Sequence, residues 1–80
     1  MRAHIHVTLK KGVLDPEGKA ISNALGSLGF DGVGNVRKGK YITLDIEETN
    51  EDKALKHVTQ MCEKLLANTV IEDFDIKLEA

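Results

Sequence analysis

The eighty-residue sequence predicts a small α+β domain of order βαββαβ, a four-stranded antiparallel sheet with two helices on one face. Three observations predict it. Apolar and polar residues alternate near both ends of the chain and again in its middle. Two apolar stripes at helical spacing lie between those stretches. Stop signals, Gly29 and Asn68, directly follow the two stripes.

The first strand runs from about Ala3 to Leu9, where Ala3, Ile5, Val7 and Leu9 take one face and His4, His6 and Thr8 the other. The chain turns through Lys10–Leu14 and enters a helix at Asp15-Pro16-Glu17. Asp15 can cap the free backbone amides, Pro16 suits the first helical position, and Glu17 meets the positive end of the dipole. Ala20, Ile21, Ala24, Leu25 and Leu28 share one side of that helix, and Gly29 supplies a left-handed stop. A flexible connection, Phe30–Gly34, leads to a short second strand expected at about Val33–Lys38, with a hairpin turn at Lys38-Gly39. Ile42, Leu44 and Ile46 then alternate with Tyr41, Thr43, Asp45 and Glu47 in a third strand. The second helix opens near Thr49-Asn50-Glu51-Asp52 and carries the stripe Ala54, Leu55, Val58, Met61, Cys62, Leu65 and Leu66. Phe74, Ile76 and Leu78 alternate with Asp73, Asp75 and Lys77 in the last strand. This order is the split βαβ arrangement of ferredoxin-like domains, read as one domain over residues 1–80.

A domain of this length buries only about 60–65% of the surface its unfolded chain would expose. With 41% hydrophobic residues, it has one thin core. Such chains usually borrow stability from a disulfide, a metal or a partner subunit. A lone cysteine, Cys62, rules out an internal disulfide, and no paired Cys/His spacing suggests structural zinc. A homo-oligomer, dimer or tetramer, is the expected remedy. Eleven basic and thirteen acidic residues give a net charge of −2, which speaks against a general nucleic-acid or membrane-surface binder. Neither a signal peptide nor an apolar run long enough to span a bilayer is evident, so a reducing cytoplasm is expected.

Few residues suggest chemistry. His4 and His6 project from one strand face and could form half of a metal site, with Asp45, Asp73 or Asp75 as a third ligand. As polar residues on an open or subunit-facing sheet they need no such role. Cys62 lies in an apolar stripe, where a small buried hydrophobe is the simpler reading than a thiolate. His57, off the centre of that stripe, is expected in solvent. Gly29, Gly32 and Gly34 lead into a strand, whereas a dinucleotide loop opens a helix. Lys38–Ile42 faintly echoes an RNA-recognition signature, but aromatics are only 4% of the chain and bases would lack stacking platforms. Lys10-Lys11 and Arg37-Lys38 with Lys40 form two small basic clusters that could dock an acidic surface or solubilise their loops. No catalytic constellation and no cofactor or metal motif emerges.

Three stretches carry a resemblance. Val7–Ala20, with Lys11-Gly12-Val13-Leu14-Asp15-Pro16 its most specific part, is similar to the opening of the PurS family, the small subunit of phosphoribosylformylglycinamidine synthase. Leu28-Gly29-Phe30 with Val36–Ile42 resembles that family's middle, and Cys62–Asp73 its close. The resemblance implies a role in the fourth step of de novo purine synthesis. It implies a complex in which a large synthetase subunit uses ATP and Mg, while a glutaminase subunit releases ammonia. The small subunit, usually dimeric, would bridge the two and support ammonia transfer, binding no cofactor itself. No catalytic residue is carried over. The matching loop positions Lys10, Lys11, Gly12, Asp15 and Pro16, and the hairpin Arg37, Lys38, Gly39 and Lys40, become interface candidates. Two other classes stay open: a ligand-binding regulatory ferredoxin-like module, and a metal carrier using His4 and His6.

Overall fold

Alternation in the first eight residues after Met1 produces the central strand of the fold. The computed structural model describes residues 1–80, and in it β1 (Arg2–Leu9) places Ala3, Ile5 and Val7 on one face, fully buried. β2 (Gly39–Asp45) and β3 (Glu72–Glu79) flank β1, both antiparallel to it, in the order β2-β1-β3. The register sets Ile5 between Ile42 and Ile76, and Ala3 between Leu44 and Leu78. Side chains opposite one another share a face, so the apolar set of all three strands converges on one side.

One helix covers that side. α2 (Glu51–Met61) starts on Asn50, whose side chain accepts the Lys53 N–H at 3.0 Å. Its Ala54 and Val58, with Cys62, complete a core of small and branched residues against β1. The helix widens into a π-helical turn over Cys62–Leu66, closed by the Ala67 N–H donating to the Cys62 carbonyl at 2.9 Å. Asn68 ends it by accepting the Val70 N–H at 3.2 Å and donating its own N–H to the Glu72 carboxylate at 2.7 Å.

α1 (Pro16–Ser27) forms for the reasons its sequence gives. Asp15 accepts the Gly18 N–H at 2.8 Å. At the other end Gly29 adopts φ +96°, with its N–H donating to Gly26 and the Phe30 N–H to Leu25 at 3.1 and 3.0 Å. This is the paired closure that a left-handed residue permits.

Two expectations need correction. The sheet has three strands, not four, because residues 33–38 do not join it. Asn35 sits at φ +55°, which interrupts extended backbone, and the segment is held elsewhere by contacts of Lys38 and Arg37. The Lys38 N–H donates to Asp15 at 2.7 Å, and the Arg37 guanidinium reaches the Lys10 carbonyl at 3.0 Å. The segment therefore runs back along the start of α1. The second correction is that α1 does not pack on the sheet beside α2. It projects as an arm, giving extents of 49 × 26 × 15 Å and a radius of gyration of 16.0 Å. A compact chain of this length would measure about 12 Å.

Candidate functional site

The two loop stretches singled out in the sequence meet at one corner of the molecule. The turn after β1 is closed by the Val13 N–H donating to the Lys10 carbonyl at 3.0 Å, while the Lys10 N–H anchors on the Ile71 carbonyl at 2.8 Å. Arg37 then clamps that same Lys10 carbonyl from across the corner. Gly39 opens β2 so close to β1 that a Cβ there would lie 2.6 Å from the Val7 carbonyl oxygen. Lys11, Gly12 and Arg37 thus line one hollow of the corner and Asp15, Pro16, Lys38, Gly39 and Lys40 another, with Lys10 tied in through its carbonyl, although 20 residues separate the two stretches.

Asp15 is the joint of the corner. One carboxylate oxygen caps α1 at Gly18 and the other takes the Lys38 N–H. The Lys38 and Gly18 amides hold its carboxyl below the usual range, with the Arg37 charge adding to the effect. The ammonium of Lys38 pairs with Glu17, and that hydrogen bond and charge raise its pKa. Lys40 lies 3.9 Å from Glu72. Lys10, Lys11 and Arg37 make no ion pair, so the corner keeps exposed positive charge beside its neutralised part.

Asp15→Asn should show what the joint contributes. Asn offers one acceptor where two N–H groups need one each, so the melting temperature at neutral pH should fall by a few degrees. A carboxyl with a lowered folded pKa stabilises fully above its unfolded value of about 3.9. That contribution is lost as pH falls through the folded value. Wild-type stability should therefore decline more steeply than that of Asp15→Asn on acidification below about pH 5. Parallel melting curves would show that Asp15 bears no such charge-dependent load.

The open face of the sheet carries the histidines. His4 Nδ1 lies 2.5 Å from the Tyr41 hydroxyl, and the His6 ring stacks on Tyr41 at 4.6 Å between centroids. His4 Nε2 approaches Glu79 at 3.5 Å, and Asp45 pairs with Arg2 at 3.2 Å instead of turning to a shared ligand. Asp45, Asp73 and Asp75 do share the face, but no three metal-ligating groups converge. Cys62 is buried, and burial, followed by the charge of Glu63, pushes its thiol up, away from the thiolate. His57 is exposed, on the rim of a groove between α2 and β2.

Sequence reasoning missed Glu17, Glu72 and Val36 as members of the corner. One signal was available. Gly18 stands inside a helix, where glycine costs about 1 kcal/mol against alanine and so points to a close backbone approach. The neighbour is Val36, whose carbonyl oxygen would lie 2.2 Å from a Cβ at residue 18.

A family model described as PurS, phosphoribosylformylglycinamidine (FGAM) synthase, matches residues 2–80. The PurS subunit of phosphoribosylformylglycinamidine synthase from Methanocaldococcus jannaschii is 49% identical over 98% of this chain and 94% of its own length. Its counterpart from Bacillus subtilis is 47% identical over 98% and 92%. The crystal structure of the M. jannaschii protein, one of the subunits of formylglycinamide ribonucleotide amidotransferase in the purine biosynthetic pathway, superposes with a TM-score of 0.88, covering 98% of this chain and 94% of that one. A chain of the PurLQS structure from Thermotoga maritima matches at 34% identity and a TM-score of 0.86, covering 95% and 93%.

Proposed function

This chain belongs to the PurS family of phosphoribosylformylglycinamidine synthase subunits, and from that premise we propose that it bridges the other subunits of that complex. It is the small subunit of an ATP- and glutamine-dependent ligase of purine biosynthesis. In this reading the large subunit carries the synthetase chemistry with ATP and Mg, and a glutaminase subunit releases ammonia. The small subunit holds the two together in the cytoplasm so that ammonia passes from one active site to the other.

The observation that carries the reading is the family match over nearly the whole chain, joined to the corner it contains. Its positions most specific to the resemblance, Lys11–Pro16, lie against Arg37 and Lys38, and there Lys11 and Arg37 present cations outside any ion pair to solvent. A bridging subunit needs such surfaces and needs no nucleophile. Exposed Lys and Arg suit an acidic patch on a partner, where charge sets encounter rate and register.

Reconstitution tests it. With the large and glutaminase subunits, glutamine-dependent turnover should require this chain. With ammonium salt in place of glutamine, omitting it should cost much less, because no transfer between sites is then needed. Charge reversal at Lys11 and Arg37 together should weaken assembly on the order of tenfold and flatten its salt dependence. Full glutamine-dependent rates without the chain would sink the bridging role.

A further inference from the structure

We infer that the hollow between the first turns of α1 and the returning segment binds a phosphate group, that of a small phosphorylated metabolite. The inference goes beyond the bridging reading, which calls for surfaces only and gives this chain no ligand of its own.

The hollow follows from the spacing of four residues. Asp15 at the cap of α1, then Gly18, Lys19 and Ser22, recur at helical spacing and share one side of the helix. Because Gly18 has no Cβ, the backbone of Val36 comes up against that side. The close approach sets the two neighbours of Val36, Asn35 and Arg37, beside Lys19 and Ser22. Together they line a hollow of about 460 Å³, with the exposed side chain of Leu14 also in its wall. Small-molecule sites occupy roughly 300–1,000 Å³.

The polar groups of the hollow are idle in the fold. The side chains of Lys19, Ser22 and Asn35 make no hydrogen bond, and Lys19 makes no ion pair. A serine inside a helix can return its hydroxyl to the carbonyl four residues back, but half-buried Ser22 does not. Arg37 gives one N–H to the Lys10 carbonyl, which fixes its guanidinium and leaves its other donors free.

Two cations and two neutral donors around one space suit a tetrahedral dianion. A carboxylate has only two oxygens, which a single guanidinium already satisfies. Asp15 is the one carboxylate in the wall, and its two oxygens are turned to the Gly18 and Lys38 amides. Side chains, not the helix end, therefore make the site. Lys11 lines the neighbouring hollow, which shares Asn35 and Arg37, and adds to the positive field.

The test uses the full chain alone, titrated at low ionic strength with inorganic phosphate, ribose phosphate, AMP and, as the carboxylate control, acetate. In amide-resolved NMR spectra, phosphate should shift the signals of Ser22, Asn35 and Arg37 saturably at millimolar concentration, and acetate should not. Tighter binding of ribose phosphate than of AMP assigns the phosphate to a sugar ester, and the reverse order assigns it to a nucleotide. Lys19→Gln, at an exposed helix position, should weaken phosphate binding about tenfold, the worth of one charge-assisted contact. Asn35→Gly relieves the left-handed φ while removing the amide, and should also weaken it. Lys56→Gln, an equally exposed lysine on α2, should change nothing. Arg37→Gln also loses the clamp on Lys10, so Lys19 and Asn35 carry the test. No saturable shift, an equal response to acetate, shifts centred outside the hollow, or unchanged binding in both Lys19→Gln and Asn35→Gly would overturn the site. Both variants leave Lys11 and Arg37 in place, so loss of phosphate binding is read apart from loss of assembly with the other subunits.

Discussion

Ile5→Ala is expected to leave the chain at or below the threshold of folding. Ile5 is fully buried at the middle of the central strand, with Ile42 and Ile76 as its cross-strand neighbours and α2 above it. Removing its outer carbons leaves a void that a sheet cannot collapse into, because the strand spacing is fixed by the ladder. Such truncations cost about 2–5 kcal/mol. An 80-residue domain holds only about 4–12 kcal/mol in total. Only eight residues of the chain are buried, so no second cluster exists to absorb the loss. Denaturant unfolding should show a midpoint lowered by a third or more, or no cooperative transition. Val70→Ala, at a site 81% exposed, is the control and should stay within about 0.5 kcal/mol of wild type. Similar midpoints for both variants would mean that the core is not centred where the burial places it.

The sheet core was legible because period-two alternation needs only sequence to assign a face, and a one-residue slip of β2 or β3 would have turned Ile42 or Ile76 away from Ile5. Both helix starts were legible for a similar reason, since Asp15 and Asn50 act on amides three residues away. The missing strand was not. Val33–Lys38 has strand-compatible residues, but its fate turns on Lys38 finding Asp15, 23 positions back, and on Arg37 finding Lys10. Propensity carries no term for such partners. The helical spacing of α1 was legible as well, but not where its apolar stripe would lie: the pattern predicts packing on the sheet, and Ile21 and Leu28 stay exposed on the arm instead.

Of the candidate corner, the resemblance named both halves, and only the fold brought them together. Each half was visible as a local feature: a cap with a proline after it, and a basic turn before a strand. What joins them is a carboxylate with two amide donors and a backbone carbonyl shared with a guanidinium. Those contacts use main-chain atoms, which every residue possesses, so side-chain identity alone could not announce them. Gly18 is the exception, because a missing Cβ is a side-chain fact with a main-chain cause.

Gly18→Ala should accordingly destabilise the chain even though alanine is the best helix former. In an unhindered helix the change would stabilise by about 0.5–1 kcal/mol. Here the new Cβ would stand 2.2 Å from the Val36 oxygen, 3.0 Å from the Val36 carbonyl carbon and 3.1 Å from the Asp15 carboxyl carbon. Two of those neighbours are backbone, so the returning segment must retreat by about 1 Å, at the typical overpacking cost of about 1–3 kcal/mol. That retreat pulls Lys38 from Asp15 and Arg37 from Lys10, and the corner comes apart while the sheet beneath it stays. Gly26→Ala supplies the matched control, since it lies in the same helix with nothing within 4 Å of its added Cβ. Its melting temperature should rise by a few degrees and that of Gly18→Ala should fall, with helix content alike in both. Binding to the other subunits should follow the same division, retained in Gly26→Ala and weakened at least tenfold in Gly18→Ala if the corner is the contact surface. A Gly18→Ala chain that is less stable yet binds as well as wild type would place the contact surface elsewhere on the molecule and leave the corner a purely structural joint.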